Sequence, residues 1–286
     1  MKYGGHIYLW TDHWSSGQLN LLDRARELGL TCLEIAVGDD IQFDAAAVRS
    51  RAKSVGMDVI LSPGAEWPMQ QDISHDESDC RALGVAWHRR WISAAADAGA
   101  VAYAGAIYGH PGRVARRRKT DDQLRHTADN LHLLAEHAYD AGVQLVIEPM
   151  SRFRTSVVNT PAEAMRLVEL ANSPKLRILL DTYHMVTEVR DYGEAIRICG
   201  DRLWAIHACE NDRGAPGGGI IPWNTIFAAL DDTRFDNYII FEAYNSSLGD
   251  FAISRGMFHD VCPDGDQFVR TGLRFIQTGL GGTDFR

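Results

Sequence analysis

The sequence lacks the cysteine pattern of a secreted protein that disulfides stabilise. Its five cysteines form no CxxC or CxxH pair, and their odd number argues against a complete disulfide framework. They stand at positions 32, 80, 199, 209 and 262. We therefore expect reduced cysteines and a cytoplasmic protein.

The sequence also lacks a long hydrophobic run and an excess of positive charge. In the opening segment MKYGGHIYLWTDHW, Asp12 and His13 interrupt a short apolar stretch, so we expect neither a signal peptide nor a membrane span there. The formal net charge is -9, which repels the phosphate backbone of a nucleic acid. These features favour a protein without a membrane or nucleic-acid partner that acts on a small molecule.

Motifs for binding nucleotides and linkers between domains are missing as well. Gly214 and the glycines at 217–219 form neither a strand-GxGxxG-helix unit nor a P-loop, so they indicate a loop rather than a phosphate site. No Ser/Gly-rich linker divides the 286 residues, of which 45% are hydrophobic. We expect a single domain that spans residues 1–286.

Short apolar runs alternate with amphipathic segments from one end of the chain to the other. The runs predicted to be strands are HIYLWT, TCLEIAV, DVILSPG, VAYAGAIYG, VQLVIEP, LRILLDT, LWAIHAC and NYIIFEAY. Several of the intervening helical patterns end in glycine, at positions 29, 56, 99 and 142. About eight strand-helix units in a chain of this length favour a (β/α)8 TIM barrel over an open doubly wound sheet.

Side chains that can bind a metal ion stand where the last four predicted strands end. They are Glu148 in VIEPM, Asp181 in LLDTYHM, His207 in IHACEN and Glu242 in FEAY. In such barrels these strand ends meet at the rim that carries the active site. One such residue alone could be a helix cap or a loop residue. Carboxylates with one imidazole favour a divalent ion, for which we expect Mn²⁺, with Mg²⁺ and Co²⁺ as alternatives.

The same residues predict a type of reaction. A metal ion held by four protein groups leaves positions for two adjacent oxygens of a hydroxyketone and would acidify the neighbouring C–H. Glu148 and Glu242 end strands five and eight, on different sides of the ring. We therefore predict that they are the catalytic pair, which removes and returns a proton through a metal-bound enediolate.

Four further residues are candidates for contacts with the substrate, each with a simpler alternative. His184 could contact a substrate hydroxyl or be a hydrogen-bonded loop histidine. Arg213 could hold a substrate oxygen or lie on the surface. Trp10 and Trp14 could form the apolar wall of a sugar pocket or pack in the core.

The motifs of the second half resemble those of the ketose 3-epimerases, the D-tagatose and D-allulose 3-epimerase group of the xylose-isomerase-like barrels. They are E-P-x-x-R-F, then L-D-T-[YF]-H-M, then H-x-x-E-x-x-R-x-x-P-G-x-G, and then F-E. The resemblance is strong over strands five to eight and loose over the first half. It implies a metal-dependent isomerase that epimerises a ketose at C3, with a homo-oligomeric assembly of two or four subunits.

The resemblance also implies roles for single residues. The metal ligands would be the four residues named above, and His184 and Arg213 would contact substrate oxygens. Glu210 would support the ligands from behind, unless it is a simple salt-bridge partner. A subunit interface could use the apolar residues Phe251, Ile253, Met257 and Phe258.

The chain departs from the family pattern at one informative position. Where the family reads E-x-x-N-R-[FY]-E, this chain reads EPMSRFR, which replaces the asparagine by Ser151 and the second glutamate by Arg154. In the family that glutamate contacts the substrate. A guanidinium in its place would suit a phosphate or carboxylate on the sugar, unless Arg154 turns out to solvent.

Other functions stay open at this point. An aldose-ketose isomerase of the same superfamily would use the same enediolate. An endonuclease-like barrel would need more histidines at the strand ends and a basic groove, and a non-catalytic sugar-binding barrel would not need two opposed carboxylates.

Overall fold

A computed structural model describes residues 1–281 of the chain. Its parallel strands pair in chain order and close on themselves, which confirms the predicted (β/α)8 barrel. The strands are β1 (Lys2–His6), β2 (Cys32–Val37), β3 (Asp58–Pro63), β4 (Ala102–Gly105), β5 (Gln144–Ile147), β6 (Arg177–Asp181), β7 (Leu203–Ala208) and β8 (Tyr238–Phe241). The domain predicted over residues 1–286 includes residues 282–286, which lie outside the described residues.

Helices connect the strands and cover the outside of the barrel. They are α1 (Leu21–Glu27), α2 (Ala45–Val55), α3 (Ser78–Asp97), α4 (Asp121–Asp140), α5 (Pro161–Leu170), α6 (Thr182–Met185), α7 (Tyr192–Cys199), α8 (Trp223–Asp232), α9 (Phe251–Ser254) and α10 (Gly265–Gly279). Within residues 1–281, no helix combines the length and the apolar composition needed to cross a membrane.

Local sequence signals explain where many of these helices begin and end. α5 begins with a capping box, in which the side chains of Thr160 and Glu163 each accept a hydrogen bond from the other's backbone N–H. Pro161 fits the first helical turn because that position needs no N–H donor. α2 ends at Gly56, whose φ of 68° is a left-handed conformation that glycine adopts without strain.

Several predicted strands run past the observed ends, because the backbone turns before the apolar run ends. β5 ends at Ile147 and β8 at Phe241, and the largest differences are at β1 and β4. β1 covers Lys2–His6, and the run Ile7–Leu9 forms a 3-10 turn because the N–H of Tyr8 bonds to Nδ1 of His6. β4 ends at Gly105, where φ is 134°. The apolar residues beyond these points are buried as the first turns of loops and not as strand.

The interior of the barrel is built in layers, because alternate residues of a strand point to the same face. One layer is apolar, and its members include Cys32, Ile60, Ala104, Val146, Leu179, Ala205 and Ile240. Two residues further along β5 to β8 come the four residues predicted to bind metal, namely Glu148, Asp181, His207 and Glu242. The apolar layer therefore lies directly beneath the polar one.

Candidate metal centre

The four residues at the ends of β5 to β8 form one buried cluster. Each offers a ligand atom, and these atoms all lie within 4.8 Å of one another. Asp181 and His207 are paired in the register of β6 and β7, which fixes their side chains next to each other. The N–H of Glu148 donates to the carbonyl of Gly105 at 2.9 Å, so the backbone carrying this carboxylate continues the ladder to β4.

His207 is oriented by a carboxylate behind it. Its Nε2 lies 2.8 Å from Oε2 of Glu34, which lies on β2. Its Nδ1 lies 3.2 Å from Oε1 of Glu148 and 3.2 Å from Oε2 of Glu242. When Glu34 accepts the Nε2–H proton, the Nδ1 lone pair faces the other carboxylates, which is the arrangement of a histidine that binds a metal ion.

Arg213 supplies a buried positive charge at the edge of the cluster. Its Nη1 lies 2.7 Å from Oε2 of Glu242 and 2.8 Å from Oδ2 of Asp181. Its φ of 71° is unusual for a residue with a side chain, and the turn is held by the N–H of Glu210, which donates to the carbonyl of Gly214 at 2.8 Å. This backbone conformation directs the guanidinium inward from the loop after β7.

The two carboxylates predicted to be catalytic have pKa values shifted in opposite directions. Burial raises the pKa of Glu148 to about 7, although His207 opposes the shift. Burial also disfavours the charge of Glu242, but Arg213 and His207 outweigh it and hold the pKa of Glu242 well below its ordinary value. Pairs of acids whose environments separate their pKa values are typical of acid-base catalysis.

The donor set fits a divalent cation. Glu148, Asp181 and Glu242 bring three carboxylates together with an imidazole, and the exposed fraction of each of the four residues is at most 8%. Oδ2 of Asp181 is buried without a hydrogen-bond partner among residues 1–281, because its contact with Arg213 lacks hydrogen-bond alignment. Buried carboxylates at such separations repel one another, and a cation bound between them would neutralise this repulsion.

A cavity of about 300 Å³ lies above the cluster. Glu148, His207 and Glu242 line it on one side, and Arg154 lines it as well. The remaining lining residues include His6, Tyr8, Glu34, Ser62, Trp67, His110, Tyr244 and Arg255. Three of the four predicted ligands therefore face the same cavity as residues from the first half of the chain, and Asp181 is not among the described residues that line it.

Neither Trp10 nor Trp14 is among the described residues that line this cavity. The indole N–H of Trp10 donates to Asp266 on α10 at 2.8 Å, and its ring packs against Gly5, where a Cβ would lie 2.9 Å from it. Trp14 is 1% exposed and belongs to the core around the barrel. The packing alternative thus describes both tryptophans, since the chain turns away from the rim directly after β1.

His184 and Glu210 lie close to the cluster but make different contacts. Nε2 of His184 lies 3.4 Å from Nη2 of Arg213 and 3.7 Å from Oδ2 of Asp181. The carboxylate of Glu210 accepts hydrogen bonds from the N–H groups of Gly217 and Ile221 and from the indole of Trp223. Glu210 therefore holds the glycine-rich loop in place, and a role in supporting the metal ligands stays a prediction.

His6 and Glu34 were missed because only the last four strand ends carry an evident motif. A signal for them is nevertheless present in the alternation along β1 and β2. Glu34 follows the inward Cys32 by two residues, as Glu148 follows Val146 on β5. Extending the two-residue step to every strand would have identified Glu34.

Comparisons with known proteins agree with this geometry. A family model described as "Xylose isomerase-like TIM barrel" matches residues 22–278. The chain is similar to a D-psicose 3-epimerase of Agrobacterium fabrum (strain C58 / ATCC 33970), with 27% identity over 99% of this chain and 100% of the relative. It is also similar to a ketose 3-epimerase of Arthrobacter globiformis, with 28% identity over 97% of this chain and 99% of the relative.

A solved structure described as L-ribulose 3-epimerase has the same fold. It superposes with a TM-score of 0.90 and 29% sequence identity, and the match covers 98% of this chain and 94% of the other. The similarity therefore extends over the whole barrel and not only over the strands that carry the cluster.

Proposed function

Because this chain belongs to the xylose isomerase-like TIM barrel family, we propose that it is a metal-dependent epimerase that inverts C3 of a ketose. The observation that carries the proposal is the buried cluster of Glu148, Asp181, His207 and Glu242 at the end of the barrel. Relatives and a solved structure named as ketose or L-ribulose 3-epimerases, similar over nearly the full chain, support it.

The four clustered residues are proposed as the ligands of one divalent ion. When bound, such an ion polarises the ketose carbonyl and acidifies the C–H beside it. Glu34 contributes by fixing the ring of His207, because it accepts the proton of Nε2 at 2.8 Å.

Glu148 and Glu242 are proposed to move the proton. Nη1 of Arg213 lies 2.7 Å from Oε2 of Glu242 and favours the ionised carboxylate, which is proposed to accept the proton as the C3–H bond breaks. The electron pair of that bond forms the C2–C3 double bond of the enediolate. Glu148, which ends a strand on a different side of the ring, is proposed to deliver its own proton to the opposite face of C3, which leaves Glu148 as a carboxylate. The reverse reaction exchanges the two roles.

The remaining site residues are proposed to hold the sugar. Arg154 lines the cavity, whereas His184 and Arg213 are buried against Asp181 and are proposed to contact oxygens of the sugar. The burial of Glu148, His207 and Glu242 limits access of water, which strengthens electrostatic interactions during proton transfer.

Proton exchange with the solvent tests this function directly. The protein with Mn²⁺ in deuterium oxide is expected to convert a ketose into its C3 epimer with deuterium at C3, observed by NMR. Formation of an aldose instead would identify an aldose-ketose isomerase. Absence of both products and of deuterium across a panel of ketoses, ketose phosphates and sugar acids would leave a non-catalytic sugar-binding barrel and refute the proposal.

We also propose Mn²⁺ as the natural ion, with Mg²⁺ or Co²⁺ as the alternatives, and a homo-oligomeric assembly. Two of the residues suggested for the interface are largely exposed, with 52% exposure at Ile253 and 77% at Phe258. Elemental analysis of the purified protein and its mass in solution, compared with a Phe258→Ser variant, test these two points. The cytoplasmic location stays a prediction.

A further inference from the structure

Two arginines line the cavity without a carboxylate partner. Arg154 follows β5 and Arg255 follows α9. Among residues 1–281, neither guanidinium forms an ion pair, whereas Arg152 pairs with Glu188 at 2.9 Å and Arg213 pairs with Glu242. The cavity therefore contains two positive charges that the described part of the chain does not neutralise by direct contact.

Arg255 is held in a fixed orientation. Its Nη2 donates to the hydroxyl of Tyr8 at 2.9 Å and to the carbonyl of Gly64 at 2.9 Å. The guanidinium also lies 4.9 Å from the ring centre of Tyr8 and 5.6 Å from that of Phe251. These contacts use Nη2 and the face of the guanidinium. Nη1 and Nε have no hydrogen-bond partner among residues 1–281.

Arg154 has a fixed backbone and an unpartnered head group. Its N–H donates to the carbonyl of Ser151 at 2.8 Å, and its own carbonyl accepts from Gly112 at 2.7 Å. No hydrogen bond joins its guanidinium to another of residues 1–281, although the residue is partly buried. The guanidinium of Arg255 lies 6.0 Å from the ring centre of Tyr244, and Arg154 lines the same cavity as Tyr244 and Arg255.

The acids of the cavity do not satisfy these cations. Glu148 and Glu242 are engaged by His207 and Arg213 at the floor. Glu66 lines the cavity but is exposed, so water screens its charge. A partly desolvated guanidinium gains most from an oxyanion, whose two oxygens match its parallel N–H groups.

We propose that the substrate is a ketose that carries an anionic group, a phosphate or a carboxylate, at the end remote from its carbonyl, and that Arg154 and Arg255 bind this group. The proposal rests on the proposed function, because the ion cluster fixes which end of the sugar reacts. The anion then lies on the side of the cavity formed by the loops after β5 and β8.

A matched set of three substrates tests the proposal. A ketohexose, its 6-phosphate and its 6-carboxylate are incubated with the Mn²⁺-loaded protein in deuterium oxide, and kcat/KM for exchange at C3 is measured. We expect an anionic ketose to exceed the neutral one by about 100-fold, as for charge-assisted hydrogen bonds. The more reactive of the two anions identifies whether phosphate or carboxylate is preferred.

Variants in the same loop provide the control. Arg154→Gln should lower kcat/KM for the anionic ketose by about 10- to 100-fold and leave the neutral ketose within about threefold. Arg152→Gln removes the same charge two residues away, from a side chain that pairs with Glu188 instead of lining the cavity. It should leave both substrates unchanged.

A binding measurement separates this proposal from the proposed function. Hexitol 6-phosphate has no carbonyl and cannot react, so its affinity by calorimetry, compared with that of the neutral hexitol, reports on the anion alone. Arg154→Gln should remove the difference. If the neutral ketose reacts as well as the anionic ones and Arg154→Gln weakens neither selectively, the proposal of an anionic substrate is refuted, while the proposed epimerase activity is not. If no ketose exchanges deuterium, the epimerase is refuted and this inference with it.

Discussion

The two halves of the barrel rim contribute different chemistry. β5 to β8 end in Glu148, Asp181, His207 and Glu242, whose ligand atoms meet within 4.8 Å. β1 brings His6 and β2 brings Glu34 into the same cavity, where Glu34 orients His207. The comparison shows that one half carries the proposed ligands and the other half positions them and walls the cavity. The following predictions test this division.

The largest effect is expected in the ligand half. Glu148→Gln and Glu242→Gln each remove a proposed proton-transfer group, and each should lower the rate of C3 exchange by at least about 1,000-fold, since acid-base groups contribute on that scale. The rate is measured by NMR in deuterium oxide. Glu136→Gln, which alters a carboxylate paired with Lys175 outside the cavity, is the control. Near-normal rates in either site variant would contradict the assigned pair.

A smaller effect is expected from the supporting half. Glu34→Gln removes the carboxylate behind His207 but no proposed ligand, so the affinity for Mn²⁺ should fall by about 10- to 100-fold. Titration followed by electron paramagnetic resonance measures the affinity. Asp181→Asn should weaken binding further. Equal losses in the two variants would mean that Glu34 binds the ion itself and that the two halves are not distinct.

Removal of the ion should also change stability. At a free Mn²⁺ concentration 100 times the dissociation constant, binding stabilises the fold by about 2.7 kcal/mol, which raises the midpoint of thermal unfolding by about 5 °C. Scanning calorimetry with Mn²⁺ and with a chelator measures the difference. Asp181→Asn should abolish the shift, and an unchanged shift in that variant would place the bound ion elsewhere.

The smallest effect is expected for a histidine of the first half that lies outside the proposed metal centre. Burial lowers the pKa of His88 to about 3, and its Nδ1 lies 2.9 Å from the hydroxyl of Tyr103. In the unfolded chain the imidazole of His88 binds a proton at about pH 6.5. In the folded protein it does so only near pH 3. Stability is therefore lost as the pH falls through this window, by about 2 kcal/mol between pH 7 and pH 5.

Urea unfolding of a His88→Gln variant measures this contribution. The variant should lose about 2 kcal/mol less than the wild type between pH 7 and pH 5, because glutamine does not titrate. The same substitution at His126, which is exposed on α4, is the control for the replacement itself. A wild-type slope in His88→Gln would show that other groups cause the acid sensitivity.

The same comparison explains how far the sequence could predict the molecule. The strands of the second half begin within one residue of their predicted starts, and a polar residue near the end of each apolar run, as in Leu180–Asp181, marks the site. The predicted runs of β5 and β8 nevertheless extend past the observed strand ends. β1 was placed too late, because the apolar residues Ile7–Leu9 are buried in a 3-10 turn that periodicity cannot distinguish from a strand.

Contacts that depend on loops could not be predicted from spacing. Arg255 reaches the cavity only because α9 packs Phe251 against Tyr8, more than two hundred residues earlier in the chain. Trp10 stands at the end of an apolar run, as a pocket residue would, but its indole bonds to Asp266 on α10. Such long-range partners depend on how the loops pack, which a local pattern does not specify.

The apolar layer below the proposed ligands has a consequence for the order in which an ion and a sugar bind. Side chains such as Val146, Leu179 and Ile240 fill the barrel beneath the cluster, so residues 1–281 offer a bound ion no polar route through this layer. An ion and a sugar bound at this site would then both enter through the cavity above the cluster. Loading should follow a fixed sequence in which the ion arrives first and departs last, and a bound sugar should slow the escape of the ion.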